Sequence, residues 1–339
     1  MKMLSLFSGI GAFERAAINK GIKHEIINYC EIDKYASYAY SILHNEKEEN
    51  NLWDVSKVDG TKYKDIDLIT YGFPCQDISL AGERKGIIKG KTKSGLLFEA
   101  LRIISESKPK VAIAENVKNL VSKMFINDFN NLIGELDKLG YNSYWKVING
   151  INHNTAHSRE RVFIVSIRKD IDNGTFEFID GSDELVTLES ITDKVIDEKY
   201  YCKDNEYIKC FINNIQRKVC DFKSPSEFGL VKIGDINNPN IREMNRRVFS
   251  ELGASPTLVT GSDSIPKILQ CRVRRLTPLE CWKLVGFTNE DYWNVRKALE
   301  KRFYYGRDMT DTQMYKMAGN SIVIKVAESI FESLEGIIY

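Results

Sequence analysis

The chain has 339 residues, of which 43% are hydrophobic and 28% are charged, so it is long enough to bury a sizeable core in one large domain plus a smaller one. The formal net charge is only +1, and there is neither a secretory signal nor an apolar run near the roughly 20 residues that span a bilayer, which excludes a membrane protein and predicts a cytoplasmic one. Seven cysteines without a Cys-x-x-Cys pair and four scattered histidines predict reduced thiols and no metal site.

In the first half, short apolar runs alternate with amphipathic stretches, which is typical of strand–helix repeats in a doubly wound, mostly parallel α/β sheet. The predicted strands are 3–7, 26–30, 68–71, 111–115, 143–148 and 162–167. The predicted helices are 12–20, 34–43, 96–107 and 128–139. After Arg168 the rhythm breaks, and helical spacing returns only at 278–285 and at 321–334, which is expected to pack on the first domain. The predicted domains are 1–184 plus 305–339, and a smaller irregular one at 185–304.

Charge is distributed unevenly along the second half. Residues 171–198 contain nine acidic side chains and one lysine, whereas residues 200–275 contain thirteen Lys and Arg against eight Asp and Glu. By counts alone the second segment fits a solvated face with incidental charge, and a phosphate-contacting surface is the functional alternative.

The first predicted strand leads through Phe7-Ser8-Gly9-Ile10-Gly11 into a helix, a turn whose backbone amides are accessible to a ligand. The third small residue of a dinucleotide-binding fingerprint is replaced by Glu14, whose charge would oppose a pyrophosphate, so a nicotinamide cofactor is disfavoured. Glu31 ends the next strand, about 20 positions on, where an acidic residue accepts hydrogen bonds from ribose hydroxyls. A ribose site without a pyrophosphate site indicates an adenosyl ligand. Alternatively, Glu31, Asp33 and Asp54 are ordinary loop carboxylates.

Two chemically reactive side chains follow neighbouring predicted strands. Cys75 lies in the loop Gly72-Phe73-Pro74-Cys75-Gln76, and Glu115 directly follows the strand at 111–114. Because parallel strands present their carboxyl ends at one sheet edge, we expect the two side chains to lie close together. A thiolate nucleophile beside a carboxyl proton donor is one interpretation, and a buried inert cysteine with a surface acid is the other.

In their order along the chain, these motifs resemble the DNA cytosine-5 methyltransferase family, of bacterial and bacteriophage type. Residues 72–76 match the family's nucleophile loop, and 115–117 match its Glu-Asn-Val. His157-Ser158-Arg159-Glu160-Arg161 resembles its Gln-x-Arg-x-Arg element, with His157 in place of Gln. The catalytic residues implied by the resemblance are Cys75, Glu115, Arg159 and Arg161.

The resemblance implies a Rossmann-like methyltransferase domain that uses S-adenosylmethionine, releases S-adenosylhomocysteine and needs no metal. Segments 7–11, 31–33, 53–55, 95–98 and 319–322 are similar to the family's cofactor motifs, and Met317 stands where Gln is common. The implied cofactor-binding residues are Phe7, Gly9, Ile10, Gly11, Glu31, Ile32, Asp54, Val55, Pro74, Leu97, Asn320 and Ser321.

The implied partner is double-stranded DNA, and residues 185–304 then form a target recognition domain. Ser255-Pro256-Thr257-Leu258 is similar to the Thr-Leu element of such domains, and 274–281 resembles the motif that supports them. The implied DNA-binding residues are Gln76, Ser79, Arg246, Arg247, Thr257 and Leu258. We expect a monomer that acts either beside a separately encoded restriction endonuclease or as a solitary, prophage-borne methyltransferase.

In the implied mechanism, the thiolate of Cys75 attacks C6 of a flipped-out cytosine, Glu115 engages N3 and the amino group, and C5 accepts the methyl group before Cys75 leaves. Arg159 and Arg161 would hold O2 and nearby phosphates through their paired N–H donors.

Three alternatives remain. A tRNA cytosine-5 methyltransferase would share Cys75, Glu115 and the cofactor site, but the long basic insert with its Thr-Leu element disfavours it. A catalytically dead DNA-binding module predicts loss of the reactive residues, which are all present. An enzyme that methylates exocyclic amino groups needs an Asp/Asn-Pro-Pro-Tyr/Phe loop, which the sequence lacks.

Overall fold

The computed structural model describes residues 1–79, 86–182, 184–203, 205–216, 229–261, 264–270 and 272–338. The chain divides into two compact units. The first unit comprises residues 1–148, 160–179 and 326–339, and the second comprises residues 149–159 and 180–325. These bounds differ from the predicted domains, because the second unit also contains 149–159, 180–184 and 305–325. Residues 305–325 belong to the second unit because the helices Pro278–Val285 and Asp311–Asn320 pack on each other.

The first unit is built on a six-stranded sheet. Its strands are β1 (Lys2–Leu6), β2 (Glu25–Cys30), β3 (Leu68–Tyr71), β4 (Val111–Val117), β5 (Tyr141–Asn149) and β6 (Glu160–Arg168). Their order is β2-β1-β3-β4-β6-β5. The pairs β1–β2, β1–β3 and β3–β4 are parallel, and β6 is antiparallel to β4. The predicted mostly parallel α/β sheet is therefore confirmed.

Helices cover this sheet at the positions that the hydrophobic spacing predicts, to within about one helical turn at each end. They are α1 (Ala12–Asn19), α2 (Lys34–His44), α3 (Leu97–Ser107), α4 (Ile126–Lys138) and, at the C-terminal end, the helix Ile324–Ser333. Asp33 caps α2 by accepting from the Tyr35 backbone N–H at 2.9 Å. Gly140, with φ of +95°, lets the chain reverse after α4.

The apolar strand residues of the first unit lie in its buried core. All four residues of β3 are buried, because helices cover both faces of a parallel sheet. The C-terminal helix packs on α1, where the rings of Phe331 and Phe13 meet edge to face at 6.3 Å between centroids. Asn19 also donates to Glu328 at 2.7 Å. The predicted return of the C-terminal helix to the first domain is confirmed.

The second unit has its own four-stranded sheet and four helices among its described residues. The elements are α5 (Glu206–Gln216), β7 (Lys232–Asp235), β8 (Arg247–Ser250), β9 (Lys267–Leu269), β10 (Val273–Arg275), α6 (Pro278–Val285), α7 (Asn289–Phe303) and α8 (Asp311–Asn320); the C-terminal helix is α9. The sheet order is β10-β9-β8-β7. Part of the predicted basic segment, residues 217–228, lies outside the described residues.

Helix α5 contradicts the prediction that no helical spacing occurs between Arg168 and residue 278. Its apolar side chains Ile208, Phe211, Ile212 and Ile215 follow the i, i+3, i+4, i+7 spacing of an amphipathic helix. Together they pack with strand residues of the second sheet, including Val248, which is fully buried. The signal was present but was obscured by the polar residues around it.

No described helix is long and apolar enough to cross a membrane.

Candidate active site

The two reactive side chains emerge at one edge of the first unit's sheet. Strands β3 and β4 run parallel with Tyr71 opposite Ala114, so the loop that begins at Gly72 leaves the sheet beside Glu115. The Glu115 carboxylate lies 3.7 Å from the position that a Cβ on Gly72 would occupy. The expectation that Glu115 and the Cys75 loop share this edge is confirmed.

The backbone on either side of the Cys75 loop is held by side chains from two other segments. Asn116 donates its amide N–H to the Phe73 carbonyl at 3.0 Å, and Ser94 donates its hydroxyl to the Pro74 carbonyl at 2.7 Å. Cys75 itself is half-buried. Its backbone is therefore positioned by a neighbouring strand and by the turn before α3, while part of its side chain is accessible.

A second set of contacts ties down the residues after Cys75. Asp77 accepts from the Ser94 backbone N–H at 2.9 Å, and both residues are buried. Ser79 donates its backbone N–H to the Cys75 carbonyl at 2.8 Å, and Gln76 is exposed. Neither Asp77 nor Ser94 is indicated by the sequence alone, because their contact joins residues 17 positions apart and no local pattern marks it.

Glu115 is paired with an arginine from the antiparallel neighbour β6. Arg161 Nε lies 3.0 Å from Glu115 Oε1, and the two side chains are only 15% and 13% exposed. Arg161 also donates through Nη1 to the Glu160 carbonyl at 2.7 Å. The arginine therefore orients the carboxylate and compensates its charge in a partly desolvated position. A contact of Arg161 with a base or phosphate stays a prediction.

The turn after β1 has the backbone conformation that its glycines permit. Gly9 and Gly11 have φ values of +57° and +76°, and Phe7 also lies in the left-handed region at +54°. A Cβ on Gly9 would meet nothing within 4 Å, whereas one on Gly11 would be 2.1 Å from the His44 ring. The Ser8 hydroxyl is buried and has no hydrogen-bond partner among the described residues. An open space beside Gly9 and an unsatisfied hydroxyl fit a ligand at this turn.

Two carboxylates lie beside the turn. Glu31 accepts from the Gly9 backbone N–H at 2.9 Å and from the Asp33 backbone N–H at 2.8 Å. Burial, reinforced by the charges of Glu31 and Asp54, raises the pKa of the Cys30 thiol to about 12, so both carboxylates act on the same end of β2. Hydrogen bonds from the Ser56 hydroxyl and backbone hold the pKa of Asp54 below its ordinary value. These contacts leave the ribose and adenine roles as predictions.

Glu14, in the first turn of α1, points into the protein. Its side chain is 1% exposed and accepts from the Tyr40 hydroxyl at 2.9 Å and from the Ser5 hydroxyl. The carboxylate is thus held inside the protein between β1 and α2. The Glu14 side chain therefore contacts Tyr40 and Ser5 rather than the accessible turn, and its effect on a pyrophosphate stays a prediction.

The remaining predicted cofactor residues differ in accessibility. Ile32 is 74% exposed, whereas Ile10, Val55 and Leu97 are each at most 4% exposed and present mainly backbone. Asn320 and Ser321 follow one another at the end of α8 and belong to the second unit.

Arg159 also belongs to the second unit, where it is buried. Its guanidinium donates to the carbonyls of Leu258 and Gly319 at 3.1 and 2.9 Å. Because two of its five N–H donors bind backbone within its own unit, its observed contacts are those of a positioning residue.

The Thr-Leu element, Thr257-Leu258, is hydrogen-bonded to the segment that contains His157. Thr257 donates its hydroxyl to the Ser158 carbonyl at 2.8 Å, and His157 Nε2 accepts from the Leu258 backbone N–H at 3.1 Å. His157 therefore supplies a backbone-directed hydrogen bond from the position where the family resemblance leads us to expect Gln. Leu258 is 2% exposed, so its side chain is not available for the DNA contact that the sequence predicts.

The two predicted recognition arginines make local contacts. Arg246 donates to the Ile241 carbonyl at 2.9 Å. Arg247 is 45% exposed and pairs with Glu243 at 3.2 Å. Arg247 is accessible to a phosphate, and DNA contact by either arginine stays a prediction.

Comparison with known proteins decides the family. The family model described as C-5 cytosine-specific DNA methylase matches residues 1–336. The chain belongs to this family. It is a DNA cytosine-5-methyltransferase, and the predicted family and enzyme class are confirmed.

Curated relatives match along nearly the whole methyltransferase. The orphan methyltransferase M.SPRI of Bacillus phage SPR is 27% identical and covers 98% of this chain and 97% of the relative. The type II methyltransferase M2.ScrFI of Lactococcus lactis subsp. cremoris is 28% identical, with 98% and 99% covered. The type II methyltransferase M.HhaI of Haemophilus parahaemolyticus is also 28% identical, with 97% and 93% covered.

Solved structures agree with the fold of the methyltransferase. The S. pombe Dnmt2 methyltransferase superposes with a TM-score of 0.66 at 15% identity, covering 100% of both chains. The Entamoeba histolytica methyltransferase EhMeth superposes with a TM-score of 0.67 at 16% identity, covering 99% of this chain and 98% of the other. The Rossmann-like fold expected of the first domain is confirmed.

Proposed function

We propose that this methyltransferase transfers a methyl group from S-adenosylmethionine to C5 of a cytosine that is flipped out of a specific short duplex DNA sequence. The transfer proceeds through a covalent bond between Cys75 Sγ and C6. The supporting observation is the convergence of the tethered Cys75 loop and the Arg161-paired Glu115 at one sheet edge.

Cys75 activates the base. C5 of cytosine is a poor nucleophile until a group adds across the ring. The Cys75 thiolate forms the S–C6 bond, and the electron pair of the C5–C6 double bond becomes available at C5 to form the new bond to the methyl carbon. C5 then loses its proton, the double bond reforms, and the electrons of the S–C6 bond return to Cys75.

Glu115 stabilises the charge that develops when the thiolate adds. We infer that one Glu115 oxygen accepts from the exocyclic amino group, while the other carries a proton that it donates to N3, where electron density accumulates during the attack. Arg161 holds the carboxylate in one orientation, since its Nε binds Oε1 at 3.0 Å. We expect this pair, rather than Glu115 alone, to determine how the ring is presented to Cys75.

The turn after β1 fits the methyl donor. S-adenosylmethionine supplies an electrophilic methyl group on its sulfonium. Gly9 provides open space, the Ser8 hydroxyl is unsatisfied, and Glu31 and Asp54 offer acceptors for ribose hydroxyls and an adenine amino group. A cofactor contact by Asn320 and Ser321 rests on the family resemblance of 319–322 alone and stays a prediction.

The second unit is proposed to recognise DNA. C6 is inaccessible in a stacked duplex, so the target base must leave the helix. Exposed Arg247 and Gln76 are proposed to contact DNA directly, as are Ser79, Arg246 and Thr257. We assign Arg159 and Leu258 the role of supporting the Thr257 segment instead, because both are buried.

The acting species is proposed to be a monomer in the bacterial cytoplasm. One chain carries Cys75, Glu115 and Arg161, and the substrate is intracellular DNA. A cognate restriction endonuclease, where one exists, would be a separate protein.

Single-base sequencing of 5-methylcytosine tests the proposal. Plasmid DNA is isolated from a methylation-free bacterial host that expresses the wild type, Cys75→Ala, Glu115→Gln or the control Cys210→Ala, which alters an exposed cysteine of the second unit. The proposal predicts methylcytosine confined to one short motif in the wild type and control, its absence with Cys75→Ala, and a large reduction with Glu115→Gln. Methylation that persists in Cys75→Ala contradicts the covalent mechanism. Folded wild type that methylates cellular RNA but no DNA contradicts the assigned substrate.

A further inference from the structure

Trp53 adopts a backbone conformation that aromatic residues rarely tolerate. Its φ is +59°, in the left-handed region that favours glycine and asparagine. The conformation is imposed by neighbours: the Trp53 N–H donates to Asn51 Oδ1 at 2.9 Å, and the Trp53 carbonyl accepts from the Cys30 thiol at 3.2 Å. Strained positions that are held in this way occur preferentially at ligand sites.

The hydrogen bond from the Cys30 thiol to the Trp53 carbonyl persists at neutral pH. Because burial raises the pKa of Cys30 to about 12, its sulfur stays protonated and keeps donating to Trp53 at neutral pH. A second tie joins the same segments, since Asn51 donates its side-chain N–H to the Glu31 carbonyl at 2.8 Å. The turn at 51–54 is thereby fastened against the end of β2, where Glu31 lies.

The Trp53 ring remains accessible in spite of these ties. Its side chain is 44% exposed, and that of Ile32, on the adjoining segment, is 74% exposed. Glu31 and Asp54 are the two carboxylates whose charges raise the pKa of Cys30, and each of the two segments carries one of them. Two exposed apolar side chains and two carboxylates therefore lie on two short segments that are hydrogen-bonded to each other. This combination suits a nucleoside, which has a flat aromatic base and polar hydroxyl and amino groups.

We propose that the indole of Trp53 stacks on the adenine of the methyl donor and contributes directly to its affinity. This role rests on the proposed use of S-adenosylmethionine. Ile32 offers a branched aliphatic surface without a π-face, whereas an indole offers the largest π-face among the side chains. The hydrogen bonds from the Trp53 N–H to Asn51 and from the Cys30 thiol to the Trp53 carbonyl hold the backbone that carries this exposed ring.

Binding of S-adenosylhomocysteine to the full chain, measured by calorimetry, tests the role. Trp53→Ala is expected to weaken binding about tenfold or more, because stacking on an aromatic side chain contributes an amount equivalent to roughly 5- to 150-fold in affinity. Trp53→Asn, which tolerates the left-handed backbone, is expected to weaken binding similarly, and Trp53→Phe is expected to retain it within about threefold. The matched control is Trp145→Phe, which alters a 47% exposed tryptophan on β5.

Two further measurements separate stacking from a structural role. Adenosine alone should lose affinity by the same factor as S-adenosylhomocysteine in Trp53→Ala, because the affected contact is to the base. Ligand binding should change the tryptophan fluorescence of the wild type and of Trp145→Phe, and the change should disappear in Trp53→Phe although calorimetry still detects binding.

Wild-type affinity in folded Trp53→Ala and Trp53→Asn would overturn the role of Trp53 and leave the proposed function intact, provided that the wild type binds S-adenosylhomocysteine and methylates DNA. Absence of binding by folded wild type would overturn both.

Discussion

The ion pair between Arg274 and Glu280 provides a quantitative test of how the second unit is stabilised. Both side chains are fully buried, and two N–O contacts of 2.8 Å join them. Glu280 also accepts from the Thr277 backbone N–H at 2.7 Å, and Arg274 donates to Gln270 at 2.9 Å. The pair is therefore well satisfied, and segment 274–281 depends on it.

Removing one partner leaves an uncompensated buried charge. Arg274→Met is expected to lower the free energy of unfolding by about 3–5 kcal/mol. At about 2–4 °C per kcal/mol for a unit of this size, its Tm should fall by about 6–20 °C. The double variant Arg274→Met/Glu280→Leu should lose less than the sum of the two single variants, because no charge is left without a partner.

Thermal and urea denaturation of the full chain measure these losses. The control is Arg272→Met, whose pair with Glu198 is 50% and 73% exposed and should contribute at most about 1 kcal/mol. Binding of S-adenosylhomocysteine below the transition should be retained in Arg274→Met, while DNA affinity falls. A loss under about 1 kcal/mol in Arg274→Met would refute the reasoning.

Three further outcomes follow from buried groups of the first unit and one exposed thiol. Tyr71→Phe should leave stability unchanged or raise it by about 1 kcal/mol in urea denaturation, because the Tyr71 hydroxyl is buried with no hydrogen-bond partner in the part of the chain that the structure describes; a clear loss would contradict this. Burial lowers the pKa of His44 from 6.5, so the unfolded state binds more protons as the pH falls below 6.5 and the free energy of unfolding decreases. His44→Gln should flatten that part of the pH–stability profile, and an unchanged profile would count against it. Iodoacetamide at about pH 8 should alkylate exposed Cys210 and spare Cys30, whose pKa is raised to about 12, as mass spectrometry of the peptides would show.

Local sequence patterns predicted the helices and strands whose ends are fixed by interactions between nearby residues. Strand Leu68–Tyr71 and helix Pro278–Val285 have the predicted bounds. The helix begins with a capping box between Thr277 and Glu280 and ends at Gly286, whose φ is +98°. The convergence of Cys75 and Glu115 was also predictable, because it requires only that two adjacent strands be parallel.

Contacts that depend on strand register were not predictable. The Arg161–Glu115 pair follows from the antiparallel alignment of β6 with β4, which places Val117 opposite Arg161. Arg159, only two residues away in sequence, is instead buried against the carbonyls of Leu258 and Gly319. The Gln-x-Arg-x-Arg resemblance assigns both arginines to one role, whereas their surroundings give them different partners.

The most direct test of the covalent mechanism is a trapping experiment. A duplex is made that contains the methylated motif with 5-fluorocytosine at the target position, and it is incubated with the enzyme and S-adenosylmethionine. Because fluorine at C5 cannot leave as a proton does, the S–C6 bond should persist after methyl transfer. The account predicts a stable protein–DNA adduct on the peptide that contains Cys75 and no adduct with Cys75→Ser. An adduct on another cysteine, or methylation of ordinary cytosine by Cys75→Ser, would contradict it.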